Sequence, residues 1–62
     1  MISDQTKQRW QEIIERSVEN SHRITDWETE FIDSISIQLS KKNELTHRQT
    51  KVLYSIAHKY GF

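Results

Sequence analysis

The first 60 residues of this chain contain neither proline nor glycine, and Gly61 is its only glycine. Proline and glycine are the residues that interrupt a helix at the greatest free-energy cost. Nearly the whole chain is therefore compatible with helix, and any break must come from residues that cap helix ends. We expect an all-α protein in which residues 1–62 form one domain, a small three-helix bundle.

Two capping boxes indicate where helices begin. In Thr25-Asp26-Trp27-Glu28 the Thr hydroxyl is placed to accept the Glu N–H, while the Glu carboxylate accepts the Thr N–H. Thr46-His47-Arg48-Gln49 repeats this arrangement with Gln. Ser3-Asp4 is a weaker start for the first helix, and Gly61 suits the left-handed residue that ends the last one. The predicted helices span residues 4–20, 26–41 and 47–60.

Apolar residues recur at helical spacing and indicate which faces are buried. The predicted core comprises Thr6, Trp10, Ile13, Ile14, Ser17 and Val18 on the first helix, Trp27, Phe31, Ile32, Ile35 and Leu39 on the second, Leu45 before the third, and Gln49, Val52, Leu53, Ile56, Ala57 and Tyr60 on it. Both tryptophans belong to this set, so replacing either by alanine is expected to cost about 3–5 kcal/mol.

The residue types that catalysis and metal binding need are missing or badly spaced. The chain has no cysteine, and His22, His47 and His58 lack the i, i+4 spacing of a helical zinc pair. A single glycine cannot build a phosphate-binding loop, and a chain this short buries only about 60% of its unfolded surface. We predict no enzyme activity, no cofactor and no metal. Without cysteine, and without an apolar run long enough for export or a membrane span, we expect a cytoplasmic protein.

Charge is unevenly distributed although the formal net charge is zero. Residues 1–40 hold four Lys and Arg against eight Asp and Glu, a net charge of −4. Residues 41–62 hold five against one, a net charge of +4. Such segregation bears on association more than on folding.

Helical spacing collects these charges into two candidate binding surfaces. The acidic stripe of the second helix comprises Asp26, Glu30 and Asp33 with Ile37. The basic stripe of the third helix comprises Arg48, Lys51, Tyr54 and His58. Each stripe places an apolar or aromatic residue among its charges, which often marks a partner contact. Each stripe is also explained as ordinary solvated surface.

Part of the chain resembles a known helical module. The pattern is Ile24-Thr25-Asp26-Trp27-Glu28-x-x-Phe31-Ile32-x-Ser34-Ile35, then Leu45-Thr46-x-x-Gln49-x-x-x-Leu53-x-x-Ile56. It resembles a short module of phage and prophage proteins that also occurs attached to DNA-processing enzymes. The resemblance covers residues 24–60 and implies an accessory role in phage or mobile-element biology, with no catalytic residues.

Three functions remain open. The leading hypothesis is an accessory protein that binds and modulates a host or DNA-metabolism protein through the acidic stripe. The first alternative is a module like a helix-turn-helix, binding nucleic acid or an acidic partner through the basic stripe. The zero net charge of the chain and the missing turn glycine count against this first alternative. The second alternative is self-association through the oppositely charged halves.

Overall fold

The computed structural model describes residues 4–62 and places three α-helices in them. They are α1 (Asp4–Glu19), α2 (Asp26–Lys42) and α3 (His47–Tyr60), and this range contains no strand. The prediction of a small all-α three-helix bundle is confirmed, with every helix end within one residue of its expected place. Ser3, which we considered as a helix start, lies outside the described residues.

Both predicted capping boxes form. The Thr25 hydroxyl accepts the Glu28 N–H at 3.1 Å, and the Glu28 carboxylate accepts the Thr25 N–H at 2.8 Å. The Thr46 and Gln49 pair does the same at 3.2 and 2.9 Å. These bonds satisfy N–H groups that a helix start otherwise leaves unpaired, so α2 and α3 begin where the sequence predicts.

Left-handed residues end α2 and α3. Asn43 has φ +63° and donates its N–H to the Leu39 carbonyl. Gly61 has φ +76° and donates to the Ala57 carbonyl, which also accepts the Phe62 N–H at 2.8 Å. Glycine adopts this conformation without steric cost, and asparagine is the side chain that tolerates it best after glycine. The chain therefore turns sharply after both helices without proline.

Helices α2 and α3 run antiparallel, because side chains join them near both ends. The Tyr60 hydroxyl donates to the Glu28 carboxylate at 2.5 Å. Further along, the Gln38 and Gln49 side chains exchange two amide hydrogen bonds, each 2.8 Å long. The two contacts lie about 15 Å apart along α2, at a helical rise of about 1.5 Å per residue.

The first helix closes the bundle against both of the others. The Lys7 ammonium donates to the Asn43 side chain at the end of α2. The Arg9 guanidinium donates to the Phe62 carbonyl beyond α3 at 3.0 Å.

Ser17 of α1 is fully buried, and its hydroxyl donates to the Ile13 carbonyl at 2.8 Å. The hydroxyl therefore enters the core with its hydrogen bond satisfied.

The buried core contains most of the predicted residues and two that the pattern did not indicate. Its members are Trp10, Ile13, Ile14, Ile24, Ile32, Ile35, Leu39, Leu45, Leu53, Ile56, Ala57 and Phe62. Ile24 and Phe62 are the additions, and each lies just outside a helix. Phe31, Val52 and Tyr60 are partly buried and pack against this cluster.

Two residues predicted for the core are exposed instead. Trp27 is 61% exposed and Val18 is 58% exposed. Each four-residue step rotates a side chain by about 40° around the helix, because four residues exceed the 3.6 of one turn. Trp27 consequently lies about 120° from Leu39, and Val18 about 80° from Trp10. The expected loss of 3–5 kcal/mol applies to Trp10, which is 4% exposed, and was wrong for Trp27.

We expect each capping threonine to contribute to stability. Thr25→Ala and Thr46→Ala should each lower the free energy of unfolding by about 1 kcal/mol, because each removes the acceptor of a helix-start N–H. Urea unfolding followed by circular dichroism measures the change. Thr46→Ser is the matched control, since it keeps the hydroxyl and should stay close to wild type. Equal stability of the Ala and Ser variants would contradict the capping role.

Candidate functional site

The acidic stripe lies on the outer side of α2. Asp26, Glu30, Asp33 and Ile37 are all exposed, with Ile37 at 57%. Ile37 projects about 180° away from the buried Glu28 around the helix axis. Among residues 4–62 the three carboxylates of the stripe have no ion-pair partner. The structure therefore brings the four predicted residues onto one open surface whose charge is not neutralised by the described chain.

An exposed aromatic pair adjoins the acidic stripe. The Trp27 and Phe31 rings stack with their centroids 5.7 Å apart and their planes 8° from parallel. Together with Glu30 and Ser34 they line a shallow depression of about 220 Å³. Sequence reasoning assigned Trp27 to the core and missed this feature. Counting helical rotation from Ile32 and Ile35 would have placed Trp27 at the edge of the buried face.

The structure divides the basic stripe on α3. Arg48 and Lys51 line a depression of about 430 Å³, together with His47, Val52 and Ser55. Tyr54, which is 39% exposed, and His58 are on the surface but outside this depression. Two of the four predicted residues are thus brought together at one concave place.

The pairing of α2 with α3 bears on the helix-turn-helix alternative. In that motif the two helices cross at about 90–120°, which frees the second helix to enter a DNA groove. Here side chains join α3 to α2 both near Glu28 and near Gln38. Asn43 does supply the left-handed turn residue for which a glycine was expected. The turn chemistry fits the motif, and the two side-chain contacts tie the third helix to the second.

A buried carboxylate lies where α2 begins and α3 ends. Glu28 is 6% exposed, although sequence reasoning gave it a capping role alone. One carboxylate oxygen accepts the Thr25 N–H and the Tyr60 hydroxyl, and the other lies 3.4 Å from the Lys59 ammonium. The Lys59 ammonium also lies 5.1 Å from the centre of the Tyr60 ring. The cap of one helix is therefore also a tertiary contact with another.

These partners favour the charged form of Glu28. The Thr25 N–H, followed by the Tyr60 hydroxyl, lowers the pKa of Glu28 from 4.5 to about 2, and the Lys59 ammonium adds to this while burial opposes it. The same carboxylate raises the pKa of Tyr60, because ionising that phenol would remove its donated proton. Tyr60 and Glu28 together raise the pKa of Lys59. The cluster is thus structural, with its charges already matched.

Two larger depressions border α1, and both carry mixed charge. One of about 460 Å³ includes Lys7 and Glu15, and one of about 630 Å³ includes Arg16 and Glu19. Opposite charges in one open depression specify no particular ligand charge. In the part of the chain that the structure describes, no three His, Asp or Glu side chains are grouped to hold a metal ion, and none of the helices has the length and apolar character to cross a membrane.

The chain was compared with protein-family models, curated proteins and solved structures. None of them matches it.

Glu28 should make the free energy of unfolding depend on pH in the acidic range. Its pKa is lower in the folded than in the unfolded chain, so its contribution is complete above about pH 5 and disappears as the pH falls towards 2. Glu28→Gln should lower the free energy of unfolding by about 2 kcal/mol at pH 7 and by much less near pH 2. Urea unfolding of both proteins across this range measures the difference.

Glu30→Gln is the matched control for that experiment, because Glu30 is exposed on the same helix and lacks these hydrogen bonds. It should leave the pH dependence of wild type nearly unchanged. A Glu28→Gln deficit that stays constant from pH 7 to pH 2 would show that the lost stability does not come from the charge.

Proposed function

We propose that this chain is a small, non-catalytic protein-binding module. Its contact surface is the outer side of α2, formed by the acidic stripe and Trp27. The observation that carries the proposal is the 61% exposure of Trp27, which lies beside carboxylates that no described cation neutralises. Burying the apolar surface of an indole is favourable. A partner that covers Trp27 therefore gains free energy that folding of this chain leaves unused.

The composition of this surface matches that of known interface centres. Tryptophan is enriched among the residues that dominate binding energy, and these lie inside a rim of polar residues. Trp27 and Ile37 are the exposed apolar residues of this surface, and Asp26, Glu30 and Asp33 supply its charge. Rim charges mainly speed the encounter with an oppositely charged site. The partner therefore presents a basic surface that also covers these apolar side chains.

The class of partner follows from this chemistry together with the resemblance to phage modules. Proteins that handle nucleic acid carry basic surfaces that bind phosphate. Carboxylates in a row along a helix are negatively charged like phosphates and can bind to such a surface. We therefore place the partner among host or DNA-metabolism proteins, with the chain as an accessory factor of a phage or mobile element that modulates it.

The depression on α3 supports a second candidate. Arg48 and Lys51 lie beside the partly buried Val52 in it, and neither has an ion-pair partner among residues 4–62. Such a surface suits an acidic protein or a nucleic-acid backbone. It ranks second because side chains at two places tie α3 to α2 and because the chain carries no net positive charge.

Capture of a partner from a lysate of the source organism tests the proposal. The wild-type chain should retain a protein that Trp27→Ala loses, because the substitution removes the central anchor. In purified form, Glu30→Lys with Asp33→Lys should slow association, and Ile37→Asp should speed dissociation. Surface plasmon resonance separates the two rates.

Folding and the rival surface supply the controls. Trp27 is mostly exposed, so Trp27→Ala should cost less than about 1 kcal/mol of stability. Lys51→Glu and Tyr54→Ala change the basic stripe and should leave capture intact. If only these two abolish capture and the wild-type chain retards DNA in a gel, the α3 surface is the functional one.

A further inference from the structure

We infer that the depression beside Trp27 binds an arginine side chain of a partner protein. The inference rests on the proposed function and specifies the group that α2 recognises. Three features of the depression support it: an exposed aromatic lining, a carboxylate without a partner, and room for one side chain.

The aromatic face is held in place from one side. Phe31 stacks on the Trp27 ring nearly parallel to it and packs against the core, so it fixes the plane of the indole. Trp27 is 61% exposed, and both rings line the depression, so a flat cation seated there contacts an aromatic surface. The negative face of an indole attracts cations more strongly than that of any other side chain.

The carboxylate lies one helical turn further along the same helix. Glu30 lines the depression with Trp27, and residues three apart on a helix have neighbouring side chains. Glu30 is exposed and has no ion-pair partner among residues 4–62. A cation stacked on Trp27 is thus within reach of the Glu30 carboxylate, and the Ser34 hydroxyl in the same depression offers a further acceptor.

The same combination already holds a cation elsewhere in this protein. The Lys59 ammonium lies 5.1 Å from the centre of the Tyr60 ring and 3.4 Å from the Glu28 carboxylate. There the chain supplies its own cation. At Trp27 no cation of the described residues lies over the ring, so the equivalent position is open to a partner.

Geometry favours arginine over lysine. A guanidinium is flat, stacks on aromatic rings and forms two parallel hydrogen bonds to one carboxylate. An ammonium is compact and strongly hydrated, so it gains less from an open ring face. The depression of about 220 Å³ is shallow and has room for one flat group and its alkyl stem.

Nuclear magnetic resonance tests the inference with defined probes. The isotope-labelled protein is titrated with blocked Ala-Arg-Ala, Ala-Lys-Ala and Ala-Gln-Ala tripeptides at constant salt. The arginine peptide should shift the Trp27 indole N–H and the backbone signals of Glu30 and Ser34, and leave the buried Trp10 indole unchanged. The lysine peptide should bind at least about threefold more weakly, and the glutamine peptide should have no effect.

Variants that remove the same charge at different positions distinguish binding in the depression from general electrostatic attraction to the acidic stripe. Glu30→Gln should weaken the arginine peptide at least about threefold, because the carboxylate is lost from the depression. Asp33→Asn removes the same charge outside it and should change the affinity less than about twofold. Trp27→Ala should abolish the shifts.

Several results would overturn the inference. Equal binding of the arginine and lysine peptides, or equal weakening by the two carboxamide variants, would show simple charge attraction. An absence of shifts would exclude an arginine site. A Trp27 signal that moves with protein concentration alone would show a second copy of the chain as the occupant. Trp27-dependent capture that persists in any of these cases would leave the proposed function intact and remove arginine from it.

Discussion

The structure depends on the carboxylate of Glu28. It completes the capping box that starts α2, and it accepts the Tyr60 hydroxyl that ends α3. A bundle this small has little apolar area to fix how each helix is rotated about its axis. The buried Glu28 carboxylate helps to fix the rotation of α2. Turning it outward would lose its hydrogen bonds, and leaving it buried without them would leave a charge unpaired, and both cost free energy. Glu28 thereby orients α2 within the bundle.

The surface follows from that orientation. With Glu28 facing inward, the preceding residue Trp27 is rotated by about 100° and lies at the edge of the buried face, where it is 61% exposed. It stacks on Phe31 at the boundary of the buried face, beside the outward carboxylate of Glu30. The interaction that orders the interior therefore also places an indole in water. The exposed pair is a consequence of how α2 is fixed, and our functional proposal rests on it.

Sequence reasoning predicted the helices and failed at the edges of their faces. Local chemistry set the helix ends, because each capping box lies within four consecutive residues. Core membership was less predictable, since four-residue spacing drifts around the helix and misplaced Trp27 and Val18. Both stripes are on the surface as predicted, because charged residues at helical spacing share one exposed face of a helix. The contact of Glu28 with Tyr60 could not be predicted, because the two residues are 32 positions apart in the chain.

The accessibility of the two indoles tests the account most directly. Single-tryptophan proteins, made as Trp10→Phe and Trp27→Phe and checked for helix content by circular dichroism, are compared by acrylamide quenching of their fluorescence. We expect the protein retaining Trp27 to be quenched almost as readily as after unfolding in urea, and the protein retaining Trp10 to be strongly protected. Equal protection of the two indoles, or protection of Trp27 alone, would contradict the orientation of α2 and the binding surface derived from it.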